Sequence, residues 1–197
     1  SIVSMPASLF NEEMCFFRDK EYEVASLRIL ARSIVEKQEL EEKTIFLSFD
    51  DGLESLYRDV FPILMSKGCN ATVFLVTGHI GGRADWYPKE SGGVVPPLPI
   101  MDWSQIREMH RYGIDFQAHT HTHAHLTEIP LNVVAEEAIR SKKIIEDRLG
   151  SPVDVFCYPN GKYSPEIVSV IRDCGFKSAV TMSLGVYRPG DDPFQIK

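Results

Sequence analysis

Two groups of residues in this sequence carry side chains suited to metal binding and proton transfer. The first is the acidic pair Asp50 and Asp51, which follows the apolar run Thr44–Phe49 and precedes Gly52. Such a run is typical of a buried strand, and in α/β folds catalytic groups collect at the carboxyl ends of strands. Two adjacent carboxylates are costly to bury unless a cation or a proton neutralises them. Taken alone, the pair is more typical of an acidic turn that caps the next helix.

The second group is a histidine cluster at the end of another predicted strand. His119, His121, His123 and His125 lie within one short stretch, although the whole chain has only 6 histidines. His119 and His123 are spaced to share one face of a helical turn, whereas His119 and His121 would share a face only if the strand continued. Either pair, together with one carboxylate, would form the three-ligand arrangement of catalytic zinc. Packing or a solvated polar loop explains so many histidines poorly.

The elements that must position these residues alternate between strands and helices along the chain. Before Thr44 the pattern predicts two helices, Asn11–Arg18 and Val24–Glu36. The later predicted strands are Thr44–Phe49, Ala71–Thr77, Ile114–Ala118, Val153–Tyr158 and Ser178–Met182. The helices between them are Ser55–Lys67, Asp102–Tyr112, Leu131–Leu149 and Ser164–Cys174, several with cap residues at their ends. This alternation predicts an α/β domain with a mostly parallel sheet or a barrel.

One segment breaks the alternation. Ile80–Ile100 is rich in glycine and proline, has no hydrophobic period, and carries Trp86 and Tyr87, with Trp103 just beyond it. Long irregular loops inside compact domains are usually functional or disordered. Aromatic rings near a catalytic site would suit the flat faces of sugars. A surface insertion whose aromatics pack back onto the core fits the sequence equally well.

Composition restricts the classes of function. The chain has 197 residues and a formal net charge of −7, so a broad basic face for nucleic acid is not expected. No apolar run approaches the roughly 18 residues of a membrane span, and no secretory leader is recognisable. None of the four cysteines forms a CxxC pair, which argues against a zinc–thiolate site. We expect one catalytic domain over residues 1–197, trimmed at both ends.

Together the two groups resemble the polysaccharide deacetylase family, the NodB-type carbohydrate esterases. Ser48–Gly52 (SFDDG) is similar to the first family motif, and His119–His123 (HTHTH) to the second. Phe156–Gly161 (FCYPNG) occupies the place of the third motif. The resemblance extends from about Phe10 to Lys197. It implies a distorted (β/α) barrel with fewer than eight strands.

The resemblance also implies a role for each matched residue. Asp51, His119 and His123 would hold a divalent metal, with zinc the first candidate, and His121 would point elsewhere. Asp50 would be the general base, and the backbone N–H of Asn160 would contact the oxyanion. The implied reaction is hydrolysis of an N-acetyl, or alternatively O-acetyl, group on a glycan that contains N-acetylglucosamine. Four aromatic residues are candidate substrate contacts: Trp86, Tyr87, Trp103 and Tyr158.

The sequence departs from the family pattern in three respects. The start looks clipped, because relatives of this branch have another short motif ahead of the segment that begins near Phe10. Many members have an arginine where Cys157 stands, paired with the base, whereas relatives that act on exopolysaccharides often have a small residue there. The Leu-x-His motif that supplies the general acid is not present, so the acid stays unassigned. By resemblance we expect an acetylated glycan as partner and a location outside the cytoplasm or at the cell surface.

Two other functions are compatible with parts of the sequence. His119-Thr120-His121 is an HxH motif of the kind that amidohydrolase-type and PHP-type phosphoesterase barrels use, although those usually place it after their first strand. A glycan-binding pseudoenzyme would explain Cys157 and the unassigned acid. The acidic pair and the two histidines argue against it, because such residues are costly to keep without a function.

Overall fold

A computed structural model describes residues 5–186, 188 and 190–197 of the chain. The strands, in chain order, are β1 (Glu23–Ala25), β2 (Thr44–Phe46), β3 (Ser48–Phe49), β4 (Thr72–Leu75), β5 (Arg83–Ala84), β6 (Leu98–Pro99), β7 (Asp115–Ala118), β8 (Val155–Cys157) and β9 (Ser178–Val180). The α-helices are α1 (Ala7–Asp19), α2 (Leu27–Glu36), α3 (Phe61–Lys67), α4 (Trp86–Glu90), α5 (Trp103–Arg111), α6 (Leu131–Leu149) and α7 (Pro165–Asp173).

The central element is a five-stranded sheet with the order β3-β4-β7-β8-β9, in which all neighbouring strands are parallel. Two small sheets accompany it: β1 pairs with β2 in parallel, and β5 pairs with β6 antiparallel. Because the five strands run in one direction, their carboxyl ends meet at one edge. The segments that follow β3, β7 and β8 contain the residues singled out by the sequence.

The sheet is buried by helices, as its sequence requires. Strands β4, β7 and β8 are buried along their whole length. β4 and β8 are mostly apolar, as expected of buried parallel strands, whereas β7 also buries Asp115 and Gln117, whose side chains hydrogen-bond to each other. The largest core cluster includes Leu64, Phe116, Ile145, Phe156 and Ile171, so α3, α6 and α7 all contribute to it. The site is therefore held on a rigid scaffold, while its residues lie in the loops beyond the strands.

Several predicted helices are confirmed together with their caps. The side chain of Asp102 accepts from the backbone N–H groups of Ser104 and Gln105, and Gln105 completes the capping box. The Ser164 side chain accepts from the N–H of Ile167 at the start of α7, where Pro165 occupies the first helical position. Helix α6 has the predicted bounds and ends at Gly150 in the left-handed conformation.

Other predicted elements differ from the structure. The prediction of a helix over Val24–Glu36 is wrong at its start, because Glu23–Ala25 pairs as a strand with Thr44–Phe46. The predicted helix Ser55–Lys67 is divided: Leu56–Val60 is a π-helical turn, and the α-helix begins at Phe61. Pro62 explains this division, since it has no N–H to continue an α-helix and is tolerated in a first turn.

No helix within residues 5–186, 188 and 190–197 has the length and apolar character needed to cross a membrane.

Candidate metal centre

The carboxyl ends of three parallel strands bring the predicted residues together. Asp50 and Asp51 directly follow β3, and His119 directly follows β7. Cys157 is the last residue of β8, and Asn160 lies in the short 3₁₀ turn just after it. His123 closes the loop that begins at His119. Residues separated by up to about a hundred positions in the sequence thus meet because parallel strands end at the same edge.

The backbone at this edge is held in an unusual conformation. Asp51, Thr120, His123 and Asn160 all have positive φ, at 69°, 65°, 58° and 56°. Non-glycine residues rarely adopt this left-handed region, and for a β-branched residue such as Thr120 it is strained. Such strain persists only where the surroundings enforce it, and it is commonly found at functional sites. Asp51, His123 and Asn160 are of the residue types that enter this region most readily, whereas Thr120 is not, so the strain at Thr120 indicates that the histidine loop is held by its surroundings.

Hydrogen bonds to the histidine loop maintain its conformation. The Thr120 hydroxyl accepts from the backbone N–H of His123 at 2.9 Å. Glu137 of α6 accepts from the backbone N–H groups of His121 and Thr122, both at 2.8 Å, and from the Thr122 hydroxyl at 3.0 Å. The loop is thereby tied to a helix whose opposite side is buried in the core.

The side chains of Asp51, His119 and His123 converge on one point. Oδ1 of Asp51 lies 3.6 Å from Nε2 of His119 and 3.5 Å from Nε2 of His123. Ligands about 2.0–2.2 Å from a tetrahedral zinc ion would be about 3.3–3.6 Å apart, so the spacing fits such an ion. Oδ1 of Asp51 is also buried and has no hydrogen-bond partner within the described part of the chain. These residues therefore fit a divalent cation, which would satisfy that oxygen.

The orientation of His119 supports the same conclusion. Its Nδ1 lies 2.9 Å from the backbone carbonyl oxygen of Cys157. A carbonyl oxygen only accepts, so Nδ1 carries the proton and Nε2 presents its lone pair toward Asp51. Metal-binding histidines are commonly oriented in this way by a partner on the other ring nitrogen.

Burial shifts the pKa values of His123 and Asp51 in this cluster. Desolvation, reinforced by nearby histidines, lowers the pKa of His123 to about 2, so its imidazole is neutral and able to bind metal. Desolvation also raises the pKa of Asp51, against the opposing effects of His119 and of the Tyr87 hydroxyl. A divalent cation would reverse that penalty, because it restores a favourable partner to the buried carboxylate.

A second group of potential ligands shares His119 and includes Asp50 and Cys157. The Cys157 thiol donates to Oδ1 of Asp50 across 3.6 Å. Complete burial raises the pKa of Cys157 well above its usual value, with the charge of Asp50 acting in the same direction. The thiol is therefore protonated, and a protonated thiol is a poor metal ligand. Asp50 is solvent-exposed, which suits a residue that exchanges protons.

The glycine- and proline-rich segment contributes side chains to the centre. It contains β5, α4 and β6, although the sequence had no periodic signal there. Trp86 is buried and stacks on His123, with ring centroids 4.4 Å apart and planes at 12°. The Tyr87 hydroxyl donates to Oδ2 of Asp51 at 2.6 Å, which leaves Oδ1 facing the histidines. Trp86 and Tyr87 thus contact the metal-site residues directly.

The remaining predicted residues lie outside this cluster. Trp103 begins α5 and packs against the core, with the Arg148 guanidinium 5.4 Å from its ring centroid. Tyr158 has no exposed surface, and its hydroxyl donates to the carbonyl oxygen of Phe194. His121 turns away, with Nδ1 3.0 Å from the Thr77 hydroxyl. The structure gives Trp103 and Tyr158 core contacts, and sugar contact by either stays a prediction.

Two acidic residues of the site were missed by sequence reasoning. Glu137 has no signal beyond its place on an amphipathic helix, and Glu90 lies in the segment that lacked a period. Glu90 accepts from the side-chain amide of Asn160 at 2.9 Å and lies 3.7 Å from Nδ1 of His123. Neither contact could be inferred from spacing, because both join elements distant in sequence.

Comparison with known proteins identifies sequence relatives. The family model "Polysaccharide deacetylase" matches residues 37–179. The chain is 24% identical to the putative polysaccharide deacetylase YxkH of Bacillus subtilis (strain 168), over 92% of this chain and 60% of that protein. It is 24% identical to the poly-beta-1,6-N-acetyl-D-glucosamine N-deacetylase of Staphylococcus aureus (strain MRSA252), over 81% of this chain and 55% of that one. The chain thus spans 60% or less of the length of these two curated relatives.

Solved structures establish the fold. The Streptococcus pyogenes deacetylase PplD, in complex with acetate, superposes with a TM-score of 0.85 at 22% identity, covering 99% of this chain and 80% of that one. IcaB from Ammonifex degensii gives a TM-score of 0.85 at 24% identity, covering 100% of this chain and 84% of that one. The prediction of a distorted (β/α) barrel with fewer than eight strands is confirmed.

Proposed function

The chain belongs to the polysaccharide deacetylase family, and from this premise we propose that it is a metal-dependent hydrolase that removes N-acetyl groups from a polysaccharide. The observation that carries the proposal is the convergence of Asp51, His119 and His123 around a buried carboxylate oxygen with no hydrogen-bond partner in the described part of the chain. In this account residues 1–197 form one catalytic domain. The family membership removes the amidohydrolase-type and PHP-type alternatives.

The donor set favours zinc among divalent metals. Two neutral imidazoles and one carboxylate are borderline ligands, and three protein ligands leave a position open for water or substrate. When bound, the ion would supply Lewis acidity toward the acetyl carbonyl oxygen and toward a water molecule. The neutral state of His123 and the fixed tautomer of His119 prepare both rings for this role.

Asp50 is proposed as the general base. It adjoins the proposed ligand Asp51, is exposed, and its carboxylate accepts a hydrogen bond from the weak thiol donor of Cys157. It can therefore accept a proton from the attacking water while the buried Asp51 keeps its oxygen directed at the histidines. Hydrolysis of the acetamide then breaks the C–N bond and releases acetate and the free amine, which must gain a proton from a group that we leave unassigned.

Asn160 is proposed to stabilise the developing oxyanion through its backbone N–H. It follows Pro159 at the end of β8, and its left-handed conformation turns the peptide at the edge where the other site residues collect. A fixed backbone donor at such a position stabilises charge that develops only in the transition state. The side-chain contact with Glu90 restrains this residue.

The proposed substrate is a polymer of N-acetylglucosamine, and the proposed location of the activity is outside the cytoplasm or at the cell surface. Support for the substrate comes from the S. aureus relative, whose name specifies poly-beta-1,6-N-acetyl-D-glucosamine. The partly exposed Tyr87 beside Asp51 is the aromatic residue best placed to contact a sugar. An O-acetylated glycan is the alternative substrate that the same centre would serve.

The direct test is to measure acetate released from β-1,6- and β-1,4-linked N-acetylglucosamine oligomers and from O-acetylated xylan. We expect acetate, together with free amino groups, from the N-acetylated oligomers. Acetate from xylan alone would change the substrate class. Binding of oligomers without acetate release in the zinc-loaded protein would support a glycan-binding pseudoenzyme and contradict the proposed activity.

A further inference from the structure

Helix α4 is too short to be stable alone, yet three of its side chains reach the metal centre. Trp86 stacks on His123, Tyr87 donates to Asp51, and Glu90 lies beside His123. The Trp86 indole and the Tyr87 hydroxyl each have a partner in the cluster that explains their position. The carboxylate of Glu90 is the contact whose purpose the proposed function leaves unexplained.

One oxygen of Glu90 faces three nitrogen atoms. Oε1 accepts from the side-chain amide of Asn160 at 2.9 Å, and it lies 3.4 Å from Nε2 of His125 and 3.7 Å from Nδ1 of His123. The Glu90 side chain is 27% exposed, so its charge is partly shielded from water. A single carboxylate oxygen thus stands between a proposed metal ligand and the proposed oxyanion residue.

The two histidine ligands differ in how their outer nitrogens are satisfied. Nδ1 of His119 has the Cys157 carbonyl oxygen as acceptor. Nδ1 of His123 is buried and has no hydrogen-bond partner among residues 5–186, 188 and 190–197. If Nε2 binds the metal, Nδ1 must carry the proton, and a buried N–H without an acceptor is costly. Glu90 is the carboxylate facing that atom, and a small side-chain movement would complete the hydrogen bond.

The contact with Asn160 has a separate consequence. Asn160 has a left-handed φ of 56° between Pro159 and Gly161, a conformation that asparagine tolerates better than most residues, so its peptide orientation depends on the contacts that hold it. The hydrogen bond from its side-chain amide to Glu90 restrains the residue across the mouth of the site. Loss of that hydrogen bond would let the backbone N–H of Asn160 move away from the position proposed for the oxyanion.

We propose that Glu90 is a positioning residue that orients His123 for metal binding and Asn160 for oxyanion binding. This inference rests on the proposed function, because it assumes a metal at Asp51, His119 and His123. Glu90 acts through its acceptor oxygen and does not itself bind the metal or the reacting atoms. Helix α4 then holds His123 and Asn160 in the orientations that the proposed reaction needs.

The test compares Glu90→Ala, Glu90→Gln and the control Glu128→Ala. The Glu128 carboxylate also lies 3.3 Å from His125 and within ion-pair distance of Lys162, and within the described part of the chain it makes no hydrogen bond or ion pair with His123 or Asn160. The first readout is zinc affinity, measured by competition with a chromophoric chelator. We expect Glu90→Ala to lose about 10–100-fold in affinity, as outer-sphere partners of metal ligands typically do. Glu90→Gln should retain affinity near that of the wild type, because its amide oxygen accepts the same hydrogen bonds, and Glu128→Ala should match the wild type.

The second readout is the rate of acetate release from N-acetylglucosamine oligomers at saturating zinc. Glu90→Ala should lower kcat with little change in KM, because a displaced oxyanion donor affects the transition state more than substrate binding. An unchanged zinc affinity in Glu90→Ala would overturn the proposal. So would a loss in Glu90→Gln as large as in Glu90→Ala, since that would make Glu90 act through its charge or as a ligand. Failure of the wild type to release acetate would refute the proposed activity, whereas the affinities would still decide the role of Glu90.

Discussion

Asp50 and Asp51 are adjacent in the chain but have different surroundings. Asp51 is buried, has a φ of 69°, and directs Oδ1 at two imidazoles, whereas Asp50 is exposed beside the Cys157 thiol. The sequence predicted the pair and its place at a strand end. The left-handed turn at Asp51 determines which of the two carboxylates faces the histidines. Such a turn cannot be recognised in the sequence, because the residue that adopts it is not glycine.

The different surroundings lead to different expectations for substitution. Asp50→Asn should keep stoichiometric zinc and lower kcat by about 10²–10⁴-fold, as loss of a general base typically does. Metal analysis of the purified variant and steady-state acetate release measure the two effects. Loss of zinc from this variant, with activity restored by added zinc, would assign Asp50 to the metal and contradict its role as base.

The histidines allow a matched comparison within one loop. The i, i+4 spacing predicted that His119 and His123 share a helical face, but they converge through a bent, non-helical loop with positive φ at Thr120 and His123. His121 faces Thr77 instead. His123→Ala should therefore lose most bound zinc, and His121→Ala should keep it. Equal loss of zinc in both variants would show that the substitutions act by disturbing the loop conformation and not by removing a metal ligand.

At the scale of elements, the sequence predicted strongly patterned segments best. Helix α6 matched its predicted bounds, and the Asp102 capping box was confirmed, because amphipathic spacing and cap chemistry are local signals. Helix α4 could not be predicted, since Trp86–Glu90 has five residues and forms through contacts with Asp51, His123 and Asn160. The conformation of this segment is determined by tertiary contacts, and the local sequence does not encode them.

Helix α6 provides an element-scale prediction through Glu137. Its carboxylate accepts from two backbone N–H groups and the Thr122 hydroxyl in the histidine loop. Glu137→Ala should weaken zinc binding by about 10–100-fold, because the strained loop loses the partner that holds its conformation. Chelator competition measures this effect, and Glu136→Ala, an exposed neighbour on the same helix, is the control. Identical zinc affinities in the Glu137→Ala and Glu136→Ala variants would show that Glu137 does not support metal binding.

At the scale of the whole molecule, the site should reduce the stability of the metal-free protein. Burial raises the pKa of Asp51, so the folded state binds its proton more tightly than the unfolded chain does. The resulting penalty is present above the folded-state pKa and diminishes as the pH falls through it, towards the ordinary value of 3.8. At neutral pH, Asp51→Asn removes the buried charge, and asparagine tolerates the left-handed backbone at this position.

Thermal unfolding with and without zinc tests this expectation. The metal-free Asp51→Asn protein should have a Tm equal to or above that of the metal-free wild type. Zinc at about 100 times its Kd should raise the wild-type Tm by roughly 5–10 °C and the variant's Tm far less. A metal-free variant much less stable than the metal-free wild type would show that Asp51 is satisfied without a cation.

Deacetylation by this protein should depend on a metal held by Asp51, His119 and His123. The most direct measurement is acetate release from N-acetylglucosamine oligomers by one preparation in three states: as purified, after removal of metal with a chelator, and after addition of one equivalent of zinc. Chelation should abolish acetate release, and one equivalent of zinc should restore it. Undiminished acetate release from protein shown by metal analysis to contain no metal would show that the reaction does not depend on a metal at these residues.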